Sequence, residues 1–250
     1  MRIVIKIGTR VIAGRNGLSQ KNISKLIKEI NTLVKKGHEV ALVSSGAIGA
    51  GLPQVSFINP HRKKIAAAVG QPLLIHSYIH EAKKYNIPIA QILILSDDFT
   101  NKEHFKNLVI NIEVMLRHKI LPIINENDVM KREDLTIGDN DILAAKVAVG
   151  LKADKFVILT NQNGLYTCNP EKDKNAKLVK KVLNINSKIE NLCFPEKSDL
   201  GLGGMSSKIQ AAKYATARGV ETFIGNGDKK GIINSVFNKN FPGTKFKPKT

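Results

Sequence analysis

A chain of 250 residues with 42% hydrophobic side chains can bury a sizeable core, and its composition is that of a globular protein rather than a disordered or fibrous one. The formal charge of +18 comes from 39 Lys and Arg against 21 Asp and Glu, yet the excess is lysine scattered along the chain and aromatic residues are only 5%, so specific nucleic-acid binding is not expected. Two cysteines, Cys168 and Cys193, build neither a disulfide framework nor a metal knuckle, Lys6 interrupts the first apolar run, and the stretch 65–75 is broken by Gly70, Gln71 and Pro72; a reducing cytoplasm is expected, with no signal peptide and no membrane span.

Residues 2–7 are β-branched around one lysine and stop at Gly8, which predicts a buried strand with Lys6 at its carboxyl end. Open α/β sheets keep their ligands there, and Gly8-Thr9 leaves backbone free to approach a phosphate. Taken alone, Lys6 could equally be a snorkelling edge residue. Ser19 is expected to cap a helix with Ile23, Leu26, Ile27, Ile30, Leu33 and Val34 on one face, ended by Gly37. A second buried strand, 39–43, runs into Ser44-Ser45-Gly46-Ala47-Ile48-Gly49-Ala50-Gly51. Such small residues between strand and helix expose backbone N–H groups to an anion, although tight packing would select them too.

Helical runs at 59–69 and 73–85 are followed by a strand at 87–95, a helix at 101–118 and a strand at Pro122-Ile123-Ile124. Asn125-Glu126-Asn127-Asp128 then falls at a strand's carboxyl end, where it reads either as a ligand contact or as an ordinary polar turn. Gly138-Asp139-Asn140-Asp141 opens a helical run containing Ile142, Leu143, Ala144, Ala145, Val147 and Ala148. Carboxylates and an amide at a helix mouth can cap the helix, capture a cation or hold lysines, and only their neighbours decide which.

A strand at 155–159 ends in Thr160-Asn161-Gln162-Asn163-Gly164, whose last pair is a turn signal. Residues 169–200 are charged and poorly periodic, so little regular structure is expected there. Gly201-Leu202-Gly203-Gly204-Met205-Ser206-Ser207-Lys208 leads into an alanine-rich helix that Ser206 or Ser207 could cap, with Lys208 in its first turn. Glycines, a helix start and a first-turn lysine suit a phosphate, without the Gly-Lys-Ser or Gly-Lys-Thr of a Walker loop; a hinge would use the same glycines. A strand at 221–224 and a short helix to Phe237 complete the pattern. Strands alternating with helices predict an α/β fold, a three-layer αβα sandwich with a mostly parallel central sheet. One domain over 1–250 is expected, with an acceptor half to about residue 150 and a nucleotide half from about 151.

Lys6 and Lys208 could neutralise a transferring phosphoryl group with Asp141 between them. A carboxylate acceptor, with a pKa of about 4.3, is already ionised at neutral pH and needs no general base.

Jointly, Lys6-Ile7-Gly8-Thr9, Ser44-Ser45-Gly46-Ala47-Ile48, Asn125-Glu126-Asn127-Asp128, Gly138-Asp139-Asn140-Asp141, Leu159-Thr160, Gly164-Leu165-Tyr166, Gly203-Gly204-Met205-Ser206-Ser207-Lys208 and Pro242-Gly243-Thr244 resemble the glutamate 5-kinases of the amino-acid kinase superfamily, over almost the whole chain. The resemblance implies the amino-acid kinase fold and transfer of the γ-phosphate of ATP, with Mg²⁺, to the side-chain carboxylate of L-glutamate, the first step towards proline. It implies catalytic roles for Lys6, Asp141 and Lys208. Lys6, Gly8, Thr160, Asn161, Leu202, Gly203, Gly204, Met205, Ser206, Ser207 and Lys208 would line the ATP site. Ser45, Gly46, Asp128 and Asn140 would hold glutamate, and no protein ligand to a metal is implied. A homo-oligomer and feedback inhibition by proline are expected on the same ground.

Asn161 stands where the family pattern has Asp, and Leu202 where it has Thr, which bears on nucleotide contact. The PUA domain, RNA-binding in character, that often follows the kinase domain is not expected in a chain that stops at Thr250. Another member of the superfamily, such as an acetylglutamate or isopentenyl phosphate kinase, is the alternative within the class; Ser-Ser-Gly-Ala-Ile paired with Asn-Glu-Asn-Asp speaks against both. The alternative from another class is a basic nucleic-acid-binding protein on a retired kinase fold, against which Lys6, Asp141 and Lys208 stand intact.

Overall fold

The computed structural model describes residues 1–14, 17–130, 140–193 and 204–249. Arg2–Ile7 forms β1, followed by the short helix α1 (Thr9–Ile12) and a two-residue ribbon, β2 (Ala13–Gly14) with β3 (Gly17–Leu18). Then come α2 (Gln20–Lys35), β4 (Glu39–Ser44), α3 (Ala47–Gly51), α4 (Arg62–Lys83), β5 (Ile89–Ile94), α5 (Lys102–Arg117) and β6 (Leu121–Glu126). The remainder contributes α6 (Asn140–Gly150), β7 (Lys155–Thr160), β8 (Lys181–Val182), α7 (Ser187–Glu190), α8 (Met205–Thr216), β9 (Glu221–Asn226) and β10 (Thr244–Phe246).

Among the described residues one sheet of eight strands runs in the order β5-β6-β4-β1-β7-β9-β10-β8. It is parallel except where β10 meets β9 antiparallel. The alternation of strand side chains divides the core into two. Val4, Ala41, Val43, Phe156 and Ile158 face α5, α6 and α8, whereas Ile3, Ile5, Ile7, Leu42 and Val157 face α2 and α4. The expected sandwich of helices on both faces is therefore observed. Among the described residues no helix is long and apolar enough to cross a membrane.

Ser19 caps α2 as expected, accepting from the Asn22 N–H. Four expectations need correction. The runs at 59–69 and 73–85 are one helix, because Pro72 lies on the exposed side of α4 while Ala66, Ala67, Gly70, Leu74 and Tyr78 bury the opposite side above and below it. The strand at Pro122 extends to Glu126: Leu93 and Ile94 of β5 pair with Asn125 and Glu126, so these polar residues are buried in the ladder rather than turning after it. Neither Ser206 nor Ser207 caps α8, since the N-cap is Gly204 with no side-chain bond. The last helix is a single 3₁₀ turn at Asn234–Phe237, and β10 beyond it answers no periodicity strong enough to read in three residues.

Gly51 and Gly70 let α3 and α4 touch backbone to backbone; a Cβ on Gly70 would lie 1.8 Å from the Ala47 carbonyl oxygen. That contact pins the loop after β4 against the long helix.

Two carboxylates, Glu81 buried and Glu221 half-buried, tie neighbouring elements together. Glu81 on α4 accepts from Lys84 at 2.7 Å and from Gln20 at 2.9 Å, and Glu221 on β9 receives Lys155 at 2.7 Å and Lys245 at 2.8 Å. Burial alone would raise both carboxyls, but these donors outweigh it and hold each at about 2, below the usual 4.5. Their stabilisation is therefore fully present above the ordinary Glu value and is lost as pH falls from there towards the folded value. Thermal unfolding is expected to shift to lower temperature between about pH 5 and about pH 2.5, and Glu221→Gln to make the fall shallower. A melting temperature flat across that window in the parent protein would contradict this account.

Candidate active site

Three residues far apart in sequence meet at the carboxyl end of the sheet. Lys6 shares its strand face with Val4, so it points at α6 and α8 while Ile5 and Ile7 point the other way. Its Nζ lies 2.7 Å from Asp141 Oδ1, and Lys208 Nζ lies 3.2 Å from Asp141 Oδ2. All three are buried, Asp141 completely. Ser207 Oγ lies 2.7 Å from Asp141 Oδ2 and 3.0 Å from the Gly204 carbonyl oxygen; its single hydrogen serves the shorter, charge-assisted contact.

Burial pushes the Asp141 carboxyl up, but the charges of Lys6 and Lys208, with bonds from Lys6 and Ser207, overrule it and hold the group well below the usual carboxylate range. Asp141 is thus an ionised organiser with both oxygens engaged. Its neighbours Gly138 and Asp139 lie outside the described residues.

The sites expected for a nucleotide gather on the same side. Gly8 donates to Leu159 O at 3.0 Å, and a Cβ there would come within 3.2 Å of that oxygen, so the chain after Lys6 hugs the end of β7. Thr160 ends β7 and Asn161 follows it, with Thr160 Oγ1 donating to Asn161 Oδ1 at 3.2 Å and Asn161 exposed. Gly204 is the N-cap of α8 and Ser206 lies exposed in its first turn. Met205 is packed into the core between α6 and α8, so what it presents to a ligand is backbone. Leu202 and Gly203 lie outside the described residues.

Of the residues expected to hold the acceptor, Ser45 and Asn140 form a second cluster joined to the first through adjacent Asn140 and Asp141. Ser45 follows β4 and is held by its N–H to Ile7 O at 3.1 Å. Gly46 has φ 117°, a left-handed turn that only glycine adopts freely, and a Cβ there would strike Ile12 at 2.9 Å. Asn140 Nδ2 donates to Ser45 Oγ at 2.9 Å and to Asn125 Oδ1 at 3.0 Å. Asp128 stands apart from that pair: it lines a cavity of about 230 Å³ with Ala47, Gln71, Gln91 and Glu126.

Sequence reasoning missed two buried supports. Gln71 accepts from Asn125 Nδ2 at 2.9 Å, and the Tyr78 hydroxyl meets Ser44 Oγ at 2.9 Å beneath the acceptor loop. Both sit on the buried side of α4, seven residues apart, a spacing that brings residues to one helix face. A glutamine and a tyrosine on an otherwise small, apolar stripe was the available signal.

Residues 1–226 match the model of the amino acid kinase family. The chain is 42% identical over 231 residues to a glutamate 5-kinase of Bacillus cereus, covering 90% of this chain and 63% of that protein. It is 39% identical over 252 residues to glutamate 5-kinase 2 of Bacillus licheniformis, covering 99% of this chain and 68% of that protein. The chain thus spans less than two thirds of the length of the first of these relatives. Among solved structures, isopentenyl phosphate kinase of T. acidophilum superposes with a TM-score of 0.70 at 16% identity, covering 99% of this chain and 100% of that one. UMP kinase from Bacillus anthracis gives 0.68 at 15% identity, covering 100% and 96%. These two likenesses speak for the fold.

Proposed function

Since the chain belongs to the amino acid kinase family, we propose that it transfers the γ-phosphoryl group of ATP to the side-chain carboxylate of L-glutamate, giving L-glutamyl 5-phosphate and ADP. The observation that carries this reading is the convergence of Lys6 and Lys208 on one fully buried carboxylate, Asp141. Two fixed ammonium groups beside the nucleotide loop meet charge on the phosphoryl group as it passes from one oxygen to another. The glutamate carboxylate attacks phosphorus already ionised, so no proton has to be removed and Asp141 need not act as a base.

In this reading β1 divides the labour. Gly8, Thr160, Asn161 and the Gly204–Lys208 turn serve ATP; Ser45, Gly46, Asp128 and Asn140 serve glutamate. The split into an acceptor half and a nucleotide half then follows the sheet, with β5, β6 and β4 on one side and β7 and β9 on the other. Among the described residues no three His, Cys, Asp or Glu side chains come together to hold a metal. In this reading a divalent ion such as Mg²⁺ would arrive on the phosphates of ATP, where it would supply charge neutralisation. A cytoplasmic setting, inhibition by proline and a homo-oligomer belong to the same reading; Ile65, Val69 and Ile79 lie exposed along α4, where a second copy could cover them.

The test uses the acyl phosphate product, which hydroxylamine traps as a hydroxamate. L-Glutamate with ATP is expected to give hydroxamate and N-acetyl-L-glutamate none, because acetylation removes the charge that Asp128 would pair with. Asp128→Asn should raise KM for glutamate and leave KM for ATP unchanged. If the acetylated substrate reacts as well as the free amino acid, acetylglutamate kinase becomes the better reading of the acceptor side.

A further inference from the structure

We propose that Gln71, which touches neither reacting group, is a positioning residue that locks the donor and acceptor polarity of the acceptor site. The proposal rests on L-glutamate being the acceptor and goes beyond it by saying what makes the site demand an amine.

The orientation of three amides follows from one backbone group. The Glu126 N–H can only donate, and it donates to Asn125 Oδ1 at 2.9 Å. Asn125 Nδ2 must then face the other way, towards Gln71, and the atom of Gln71 that receives it at 2.9 Å must be Oε1. Asn125 Oδ1 also receives Asn140 at 3.0 Å, so the atom Asn140 presents there must be Nδ2, whose second hydrogen goes to Ser45 Oγ at 2.9 Å. Both hydrogens of Asn140 are thereby used. Its Oδ1 is buried and, among the described residues, has no hydrogen-bond partner. Ser45 Oγ, having accepted from Asn140, keeps its own hydrogen to give.

The geometry therefore leaves, among the described residues, an acceptor unused at Asn140 Oδ1 and a donor unused at Ser45. A molecule carrying an N–H donor close to a carboxylate satisfies both, and an α-amino acid is that chemical class. A dicarboxylate without the amine would face the Asn140 oxygen with another oxygen.

Gln71 matters because the bond from Asn125 to its own neighbour's N–H is local and leaves the side chain free to turn. The tie across to α4 is what holds it. Gln71 and Asn125 are both buried, so removing the Gln71 oxygen takes away the acceptor of the Asn125 amide. Asn125 would then rotate, and Asn140 with it.

Gln71→Met keeps the length of the side chain and removes its acceptor oxygen. It is expected to raise KM for L-glutamate about tenfold, the size of one lost buried bond. KM for ATP should stay where it was. The ratio of kcat/KM for L-glutamate over glutarate, the same diacid lacking the amine, should fall by about tenfold as well. Gln71→Glu, which still places an oxygen opposite Asn125, should restore the ratio. Circular dichroism melting of both variants establishes that they fold. Equal rises in both KM values, or an unchanged ratio in Gln71→Met with an active parent protein, would overturn the role of Gln71 alone. A parent protein that makes no hydroxamate from L-glutamate overturns the glutamate reading and this inference with it.

Discussion

Lys208→Met and Lys6→Met are each expected to cost roughly 3 kcal/mol of transition-state stabilisation, a loss of about a hundredfold or more in kcat, with KM for L-glutamate little changed. Each lysine approaches Asp141 from a different element, Lys6 from the middle strand and Lys208 from the first turn of α8, and neither belongs to the Ser45–Asn140 cluster. Their charge is felt most where charge develops on the phosphoryl oxygens, not where the amino acid binds. Steady-state kinetics with the hydroxamate readout separates the two: the loss should appear in kcat and equally in kcat/KM for glutamate. Turnover near the parent value in both variants would remove the phosphoryl role from this cluster.

Asp141→Asn is expected to damage the fold and the reaction together. The parent carboxylate is paired with two ammonium groups that are almost fully enclosed, and taking one partner from a buried ion pair typically costs about 3–5 kcal/mol. The melting temperature should fall by several degrees in the absence of ligand, and kcat should drop because nothing fixes the positions of Lys6 and Lys208. ATP or inorganic phosphate should then raise the melting temperature more in Asp141→Asn than in the parent, since an anion replaces the missing charge. An unaltered melting temperature, or a ligand shift no larger than in the parent, would mean that Asp141 is not the counter-charge it looks to be.

How far the sequence carried depended on distance along the chain. Lys6 at a strand end, Ser19 as a helix cap and the alternation that makes a parallel sheet are local patterns, and each held. Asp141 was harder, because an acidic residue in the first turn of a helix reads the same whether it is a solvated cap or a buried counter-ion. What distinguishes them is that β1 lies beside β7 and that α8 packs on α6, which is information about sheet order. Asn125 and Glu126 illustrate the reverse case: their polarity placed them after the strand, as a ligand contact or a turn, and the pairing with Leu93 and Ile94 keeps them within it. The amide chain from Gln71 to Ser45 joins α4, β6, α6 and the loop after β4, so no window of sequence contains it.

The central position of β1 also sets an order of events during synthesis. Ile3 pairs with Val40 on one side and with Lys155 on the other, so β1 can be half-paired soon after it is made but waits until Lys155 and the residues after it are made before its second neighbour exists. Closing so long a loop is entropically slow, and the strand bearing Lys6 is exposed along one edge until β7 arrives. Asp141 emerges shortly before that strand and Lys208 well after it. The charged cluster therefore forms only after β7 and α8 have both been made, and an emerging chain must shelter an apolar strand edge long before it has this site to use.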